Sequence, residues 1–227
     1  MSGGRRIGAV LTGDIVRSSA LSSGDLSRLI EAISEAVDAV KGWEPSIVIG
    51  APEFFRGDSW QVLVGRPEMA LRAALRIRAG AVASGVADTR IAIAIGNIEP
   101  FDAEHISRSS SEAFVASGRL ADAMGKRRLA LALPAVFGPL GTWVSLGVEL
   151  CGALADEWSA RQAEVIAAVL DPAADGQEAI AERFGMTVQN VSKLLARARW
   201  HPVEAVLGAF ERSDWLQSSG ETLWSEI

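Results

Sequence analysis

Two carboxylates carry most of the chemistry this sequence offers, and each follows a glycine. Gly13-Asp14 closes the apolar run Ile7-Gly8-Ala9-Val10-Leu11. Gly57-Asp58 separates Ile47-Val48-Ile49 and Phe54-Phe55 from Trp60-Gln61-Val62-Leu63-Val64. A Gly-Asp step between apolar runs is a hairpin signal, so Asp58 is expected at a hairpin tip. Two carboxylates meeting at one place suit hard divalent cations with oxygen ligands, Mg²⁺ or Mn²⁺. Each Asp alone also has an ordinary reading as a turn residue. Arg56 is either a phosphate contact or an ion-paired edge charge. With only two His and the single Cys151, no Ser-His-Asp or Cys-His arrangement is supported. His105, in a polar loop with Asp102 and Glu104, reads as a surface residue, and His201 as a helix-end residue.

The elements around these residues decide whether they meet. Residues 7–11 form a continuous apolar run and predict a buried strand, with a loop at 12–19. Ser22 and Asp25 form a capping box, and Leu26, Leu29, Ile30, Ile33, Val37 and Val40 recur at helical spacing up to Gly42. The hairpin around Asp58 follows. Pro67-Glu68 opens a second helix whose Arg72, Arg76 and Arg78 read as solvated. Ile91-Ala92-Ile93-Ala94-Ile95 reads as a central strand with a helix against its alanine side. A polar loop at 96–111, a helix at 112–124 and a strand at 129–133 complete the pattern. The order β-α-β-β-α-β, then α-β, is ferredoxin-like. In that topology the strand-helix-strand return makes strands one and two parallel, so Asp14 and the Asp58 tip fall on one sheet edge.

The remainder of the chain changes character. Ser159 caps a helix ended by Asp171-Pro172. A second helix spans 177–184, Gly185-Met186 turns, and Thr187 caps a third over 188–199. Ala181 is small where two helices cross, Gly185 supplies positive φ, and Val191 and Leu194 pack one helix on the other. This is helix-turn-helix spacing. Thr187, Gln189, Asn190, Lys193 and Arg197 then share an exposed face suited to base edges and phosphates. Against DNA stands a zero net charge for residues 161–201, which leaves packing or dimerisation as the other reading. Val203, Val206, Leu207, Phe210, Trp215, Leu216 and Trp224 form a last apolar stripe, read as core or dimer interface. The expected class is α+β: a ferredoxin-like sheet with helices at 1–135, a helical linker at 136–157, and an all-α helix-turn-helix domain at 158–227.

The net charge of −6 argues against a general coating of nucleic acid. One cysteine excludes a disulfide framework and points to the cytoplasm. The apolar stretch 140–155, interrupted by Glu149, reads as too short for a membrane span of about 20 residues.

The segment Leu11-Thr12-Gly13-Asp14-Ile15-Val16-Arg17-Ser18-Ser19, with Arg56-Gly57-Asp58-Ser59-Trp60-Gln61, resembles the SatD family of bacterial proteins. More distantly it resembles the catalytic domain of class III nucleotidyl cyclases. The likeness continues through residues 90–96 and 112–119, and the helical end resembles sigma-factor region 4. The resemblance implies that Asp14 and Asp58, with the Ile15 carbonyl, hold Mg²⁺ or Mn²⁺ on a nucleoside triphosphate. Gly13, Arg56 and Gly57 would border the nucleotide, and Arg119 would act as a catalytic residue across a dimer interface. Two positions depart from the cyclase pattern. Val115 stands where an Asn is expected, and Phe54 stands where a Lys or Glu reads the purine, with Glu53 turned to the other face. The expectation is a regulator of the SatD type, a homodimer with a nucleotide-binding domain and a DNA-binding domain. The alternatives are a metal-dependent cyclase or nucleotidyltransferase whose helical domain mediates oligomerisation, and a scaffold without ligand.

Overall fold

A computed structural model of the chain describes residues 6–174 and 176–215. Its centre is β1 (Ile7–Ile15), flanked by β3 (Ser59–Val64) and β4 (Thr89–Asn97), both antiparallel to it. β2 (Val48–Phe55) forms the hairpin with β3, and β5 (Leu129–Ala132) lies parallel to β4. The strand order is β2-β3-β1-β4-β5. The fold is α+β: one five-stranded mixed sheet and, among the described residues, eight α-helices.

β1 runs four residues past its apolar stretch, so the loop expected from Thr12 begins later. Both neighbouring strands pair with it to the end, Asp14 lying opposite Ser59 on one side and Arg90 on the other. A strand with partners on both sides stays extended because its backbone polar groups are satisfied there.

Alternation along the strands feeds a main core on one face of the sheet and two smaller clusters on the other. Ala9, Leu11 and Ile15, with Trp60, Val62, Val64, Ile91 and Ile93, join the main core. There they meet α1 (Ser23–Trp43) and α2 (Ala70–Ala83). Ser22 caps α1, accepting from the Asp25 N–H at 3.1 Å. Val10 and Leu63 point the other way, to Ala113 and Phe114 of α3 (Glu112–Ala123). Ala92 packs with Met124 and Ala130 just beyond that helix, so a helix does sit on the alanine side of β4.

The rest is helical: α4 (Gly138–Ala155), α5 (Ala160–Val169), α6 (Gly176–Arg183), α7 (Val188–Arg197) and α8 (Trp200–Glu211). These helices roof α2, and that corrects the reading of its arginines. Arg78 is fully buried. Its Nε and Nη2 donate to Asp88 at 3.0 and 2.7 Å, its Nη1 donates to the Gly152 carbonyl at 2.9 Å, and Nη2 also reaches Asp156. Burial opposes its charge, but the hydrogen bonds and charges of Asp88 and Asp156 prevail and raise its pKa above the ordinary arginine value. Arg72 pairs with Glu211 and donates to the Leu170 carbonyl at 3.0 Å. Arg76 is half-buried, and desolvation followed by nearby Arg183 lowers its pKa. α2 therefore carries one apolar face toward the sheet and a set of arginines toward the C-terminal helices.

The core is continuous from the sheet through α2 into α5, α7 and α8. Val203, Leu207, Phe210 and Trp215 are buried in it and Val206 is half-buried; Leu216 and Trp224 lie outside the described residues. Among the described residues one helical stretch, Ala135–Ala155, is long and apolar enough by length and composition to cross a membrane. A 3₁₀ turn at Ala135–Phe137 feeds directly into α4, so the apolar helix is longer than the run 140–155 suggested.

Candidate functional sites at the sheet edge and on the helix-turn-helix

Asp14 and Asp58 lie at the same end of the sheet. The Ile15 N–H donates to the Asp58 carbonyl at 3.0 Å, and Asp14 pairs across the ladder with Ser59. Arg56 (φ 55°) and Gly57 (φ 90°) make the turn between β2 and β3. Two successive positive φ values are the hairpin signature that matches strand twist. Each carboxylate has its own partner. Asp14 forms an ion pair with Arg90, and Asp58 accepts from the Ser18 hydroxyl. Arg90 also donates to the Gly125 carbonyl at 3.1 Å. Neither Arg90 nor Ser18 was singled out from the sequence. The signal for Arg90 is cross-strand register, since it faces Asp14 directly.

Gly13 has a packing reason as well as a position. A Cβ added there would fall inside the Trp60 indole ring. Trp60 is fully buried, and its Nε1 donates to Thr89 Oγ1 at 2.9 Å. Thr89 in turn donates to the Asp14 carbonyl at 3.0 Å. The bulky indole thus lies against Gly13 and is tied to the backbone of Asp14 by one buried hydroxyl. Gly57 has no atom within 4 Å of an added Cβ, so only its backbone conformation calls for glycine.

The opposite face of the sheet carries a buried polar row that sequence patterning did not single out. Thr12 donates to Ser117 at 2.9 Å and accepts from Gln61 Nε2 at 3.0 Å. Ser117 therefore faces inward, and Arg119, two residues on, lies on the exposed side of α3 beside exposed Val115. Within one chain Arg119 is turned away from the sheet. Phe54 sits opposite Trp60 and packs on the main core, while Glu53 sits opposite Gln61. Glu53 accepts from the Ser107 N–H and hydroxyl, both at 2.8 Å. The Ser107 N–H is the main cause of its lowered pKa.

The second candidate site is α6–turn–α7. The Met186 N–H closes the turn on the Ala181 carbonyl at 2.9 Å, and Gly185 has φ 61°. Thr187 caps α7, accepting from the Asn190 N–H at 3.2 Å. Val191 is buried and Leu194 half-buried against the same core, as expected, and Leu195 is buried beside them. Thr187, Gln189, Asn190, Lys193 and Arg197 are all exposed. α7 stops at Arg197 because Arg199 adopts left-handed φ (51°) and redirects the chain into α8. Trp158 Nε1 donates to the Ala198 carbonyl at 2.9 Å and fixes this corner. Arg161 and Arg183 flank the Phe184 ring at 5.2 and 5.6 Å, within cation–π range.

No family model matches the sequence, and no curated protein matches it either.

Proposed function

We propose that this chain is a bacterial regulator of the SatD type that binds double-stranded DNA through α7 and a nucleotide through its sheet edge. The observation that carries the proposal is the division of α7. Val191 and Leu195, with Leu194 beside them, anchor it in the core, and Gln189, Asn190, Lys193 and Arg197 project from it together behind the exposed cap Thr187. A recognition helix needs this arrangement, because the major groove admits one helix and is read by short polar side chains and cations on its outer face. The basic residues Lys193 and Arg197 lie on that face although the chain as a whole is acidic.

The sheet edge is read as the nucleotide half of a ferredoxin-like, cyclase-like domain. The strand order β4-β1-β3-β2, with each neighbouring pair antiparallel, supports that reading. Asp14, Asp58 and the Ile15 carbonyl are hard oxygen donors and would hold Mg²⁺ or Mn²⁺, which neutralises the charge of a bound triphosphate. Arg90 competes with a cation for Asp14, and once released its guanidinium is free for a phosphate oxygen. Arg56 and the Gly13 and Gly57 backbones border the same edge. An enzyme would need Arg119 supplied across a dimer and a base reader where Phe54 stands, so sensing is the better-supported role. A single buried Cys151, its thiol pushed up to about 12 by burial, suits a reducing cytoplasm.

Thermal melting tests the nucleotide half. A ligand bound only by the folded state raises the midpoint by mass action, about 2.7 kcal/mol at a hundredfold excess over Kd. For a chain of this size that corresponds to roughly 5–11 °C. The rise is expected with a nucleoside triphosphate plus Mn²⁺, and is expected to vanish in Asp14→Ala and in Asp58→Ala. A rise that survives both substitutions contradicts the assignment. The DNA half is tested by binding to a labelled random duplex pool, where affinity must fall as salt rises.

A further inference from the structure

Five of the large apolar side chains left exposed fall on one line along α4 and the turn before it: Val136, Leu140, Trp143, Leu146 and Leu150. Trp143 is 72% exposed and Leu140 and Leu150 66% and 65%. Leu140, Trp143, Leu146 and Leu150, spaced three, three and four residues apart, are one face of α4, about 15 Å long at 1.5 Å per residue, and Val136 adds to it from the 3₁₀ turn on the other side of Gly138 (φ 49°). The opposite face of α4, through Val148, Cys151, Gly152 and Ala155, is built into the core. Single exposed apolar residues need no explanation, but a contiguous stripe with a nearly free Trp at its centre marks an interface.

We propose that this stripe is the homodimer interface, formed by α4 against α4 of a second copy about a two-fold axis. The proposal gives the dimer expected of a helix-turn-helix protein a location, and it stands without nucleotide or DNA.

Three features favour a second copy over other occupants. An isologous contact brings each residue near its own counterpart, so it tolerates little charge on the axis. Residues 135–155 contain no Lys or Arg, and their one acid, Glu149, is already paired with Arg127 at 2.5 Å. A helix lying in a membrane surface instead needs a basic polar face. A helix spanning the membrane would have to leave the sheet, which would strip the Gly152 carbonyl from buried Arg78.

The third feature is shape. Beside the stripe runs a groove of about 380 Å³ between α4 and the start of β5, with Leu129, Leu146, Leu150 and Ala153 along its floor and the charged side chains of Lys126, Arg127, Arg128, Glu149 and Asp156 around it. Antiparallel packing with the axis near Leu146 places position 143 of one copy opposite position 150 of the other. Each copy then offers a protruding Trp and, about two turns away, a groove whose leucines can take the indole and whose basic and acidic rim residues can pair across the axis, so the surface is self-complementary. Trp in a desolvated pocket is the commonest kind of interface anchor.

The test is the mass in solution by sedimentation at micromolar concentration, with no nucleotide or DNA present. The full chain is expected at twice its 24.0 kDa mass. Trp143→Glu and Leu150→Glu, both at exposed positions, should each raise the dissociation constant about thirtyfold or more. Their circular dichroism should be unchanged, and Trp143→Phe should remain dimeric. A monomeric full chain overturns the proposal, as do glutamate variants that stay dimeric. Flotation of the wild-type monomer with vesicles containing anionic lipid also overturns it and assigns the stripe to a membrane. Because neither DNA nor nucleotide enters the assay, its failure leaves those readings standing.

Discussion

Replacing Arg78 with alanine is expected to destabilise the protein by about 3–5 kcal/mol and to lower its melting midpoint by roughly 6–20 °C. Three losses add up. The side chain is fully buried, so its removal leaves a cavity beneath α4. The Gly152 carbonyl loses its donor inside the fold, and an orphaned buried acceptor costs about 1–3 kcal/mol. Asp88 and Asp156 lose the cation that holds them together. Asp156 is the more exposed of the two and can turn to water, so Asp156→Ala should cost clearly less than Arg78→Ala. Denaturant unfolding of the two variants measures the difference. A loss below about 1 kcal/mol for Arg78→Ala would mean that the cluster contributes little net stability, as buried ion pairs sometimes do.

Gly13→Ala is expected to cost about 3 kcal/mol, whereas Gly57→Ala is expected to cost about 1–2 kcal/mol. The two Gly-Asp steps look alike in the sequence but use glycine for different reasons. At Gly13 the new methyl overlaps the Trp60 ring, which is fully buried and cannot turn without breaking its bond to Thr89. At Gly57 the space is open, and only the positive φ of 90° is strained by a side chain. A double-mutant cycle separates these causes. Gly13→Ala combined with Trp60→Val should be less destabilising than the sum of the two single changes, because the smaller residue admits the methyl. Additive effects in that cycle would show that Trp60 is not what Gly13 accommodates.

Much of the fold is legible without coordinates where the signal is local. The β4 alternation, the Ser22, Ser159 and Thr187 caps and the turn at Gly185 all depend on neighbours within a few residues, and each appears as expected. What escapes local reading depends on distant partners. Arg72 and Arg78 look like the wet face of an amphipathic helix until α4, α5 and α8, far along the chain, close over them. The extension of β1 through Ile15 likewise comes from pairing with β3 and β4, not from its own polar residues. At the candidate site the convergence of Asp14 and Asp58 on one sheet edge follows from topology. The groups that hold them, Arg90 and Ser18, follow only from register and loop path. On α7 the outward residues are legible because capping and a helical period fix them; Leu195 joins Leu194 against the core because adjacent positions differ by only 100° around the axis.

The most direct measurement is the binding of wild type to a duplex selected from a random pool, followed by anisotropy across a range of salt. It is compared with Lys193→Ala/Arg197→Ala and with Arg28→Ala/Arg108→Ala, which removes two exposed cations elsewhere. The account predicts tight, salt-dependent binding by wild type and by the control. In the α7 variant it predicts a loss of at least tenfold, with a salt slope reduced by about 1.8 if both cations sit on phosphates. Equal loss in the control, or unchanged binding in the α7 variant, would contradict the assignment of α7 as the DNA-reading helix.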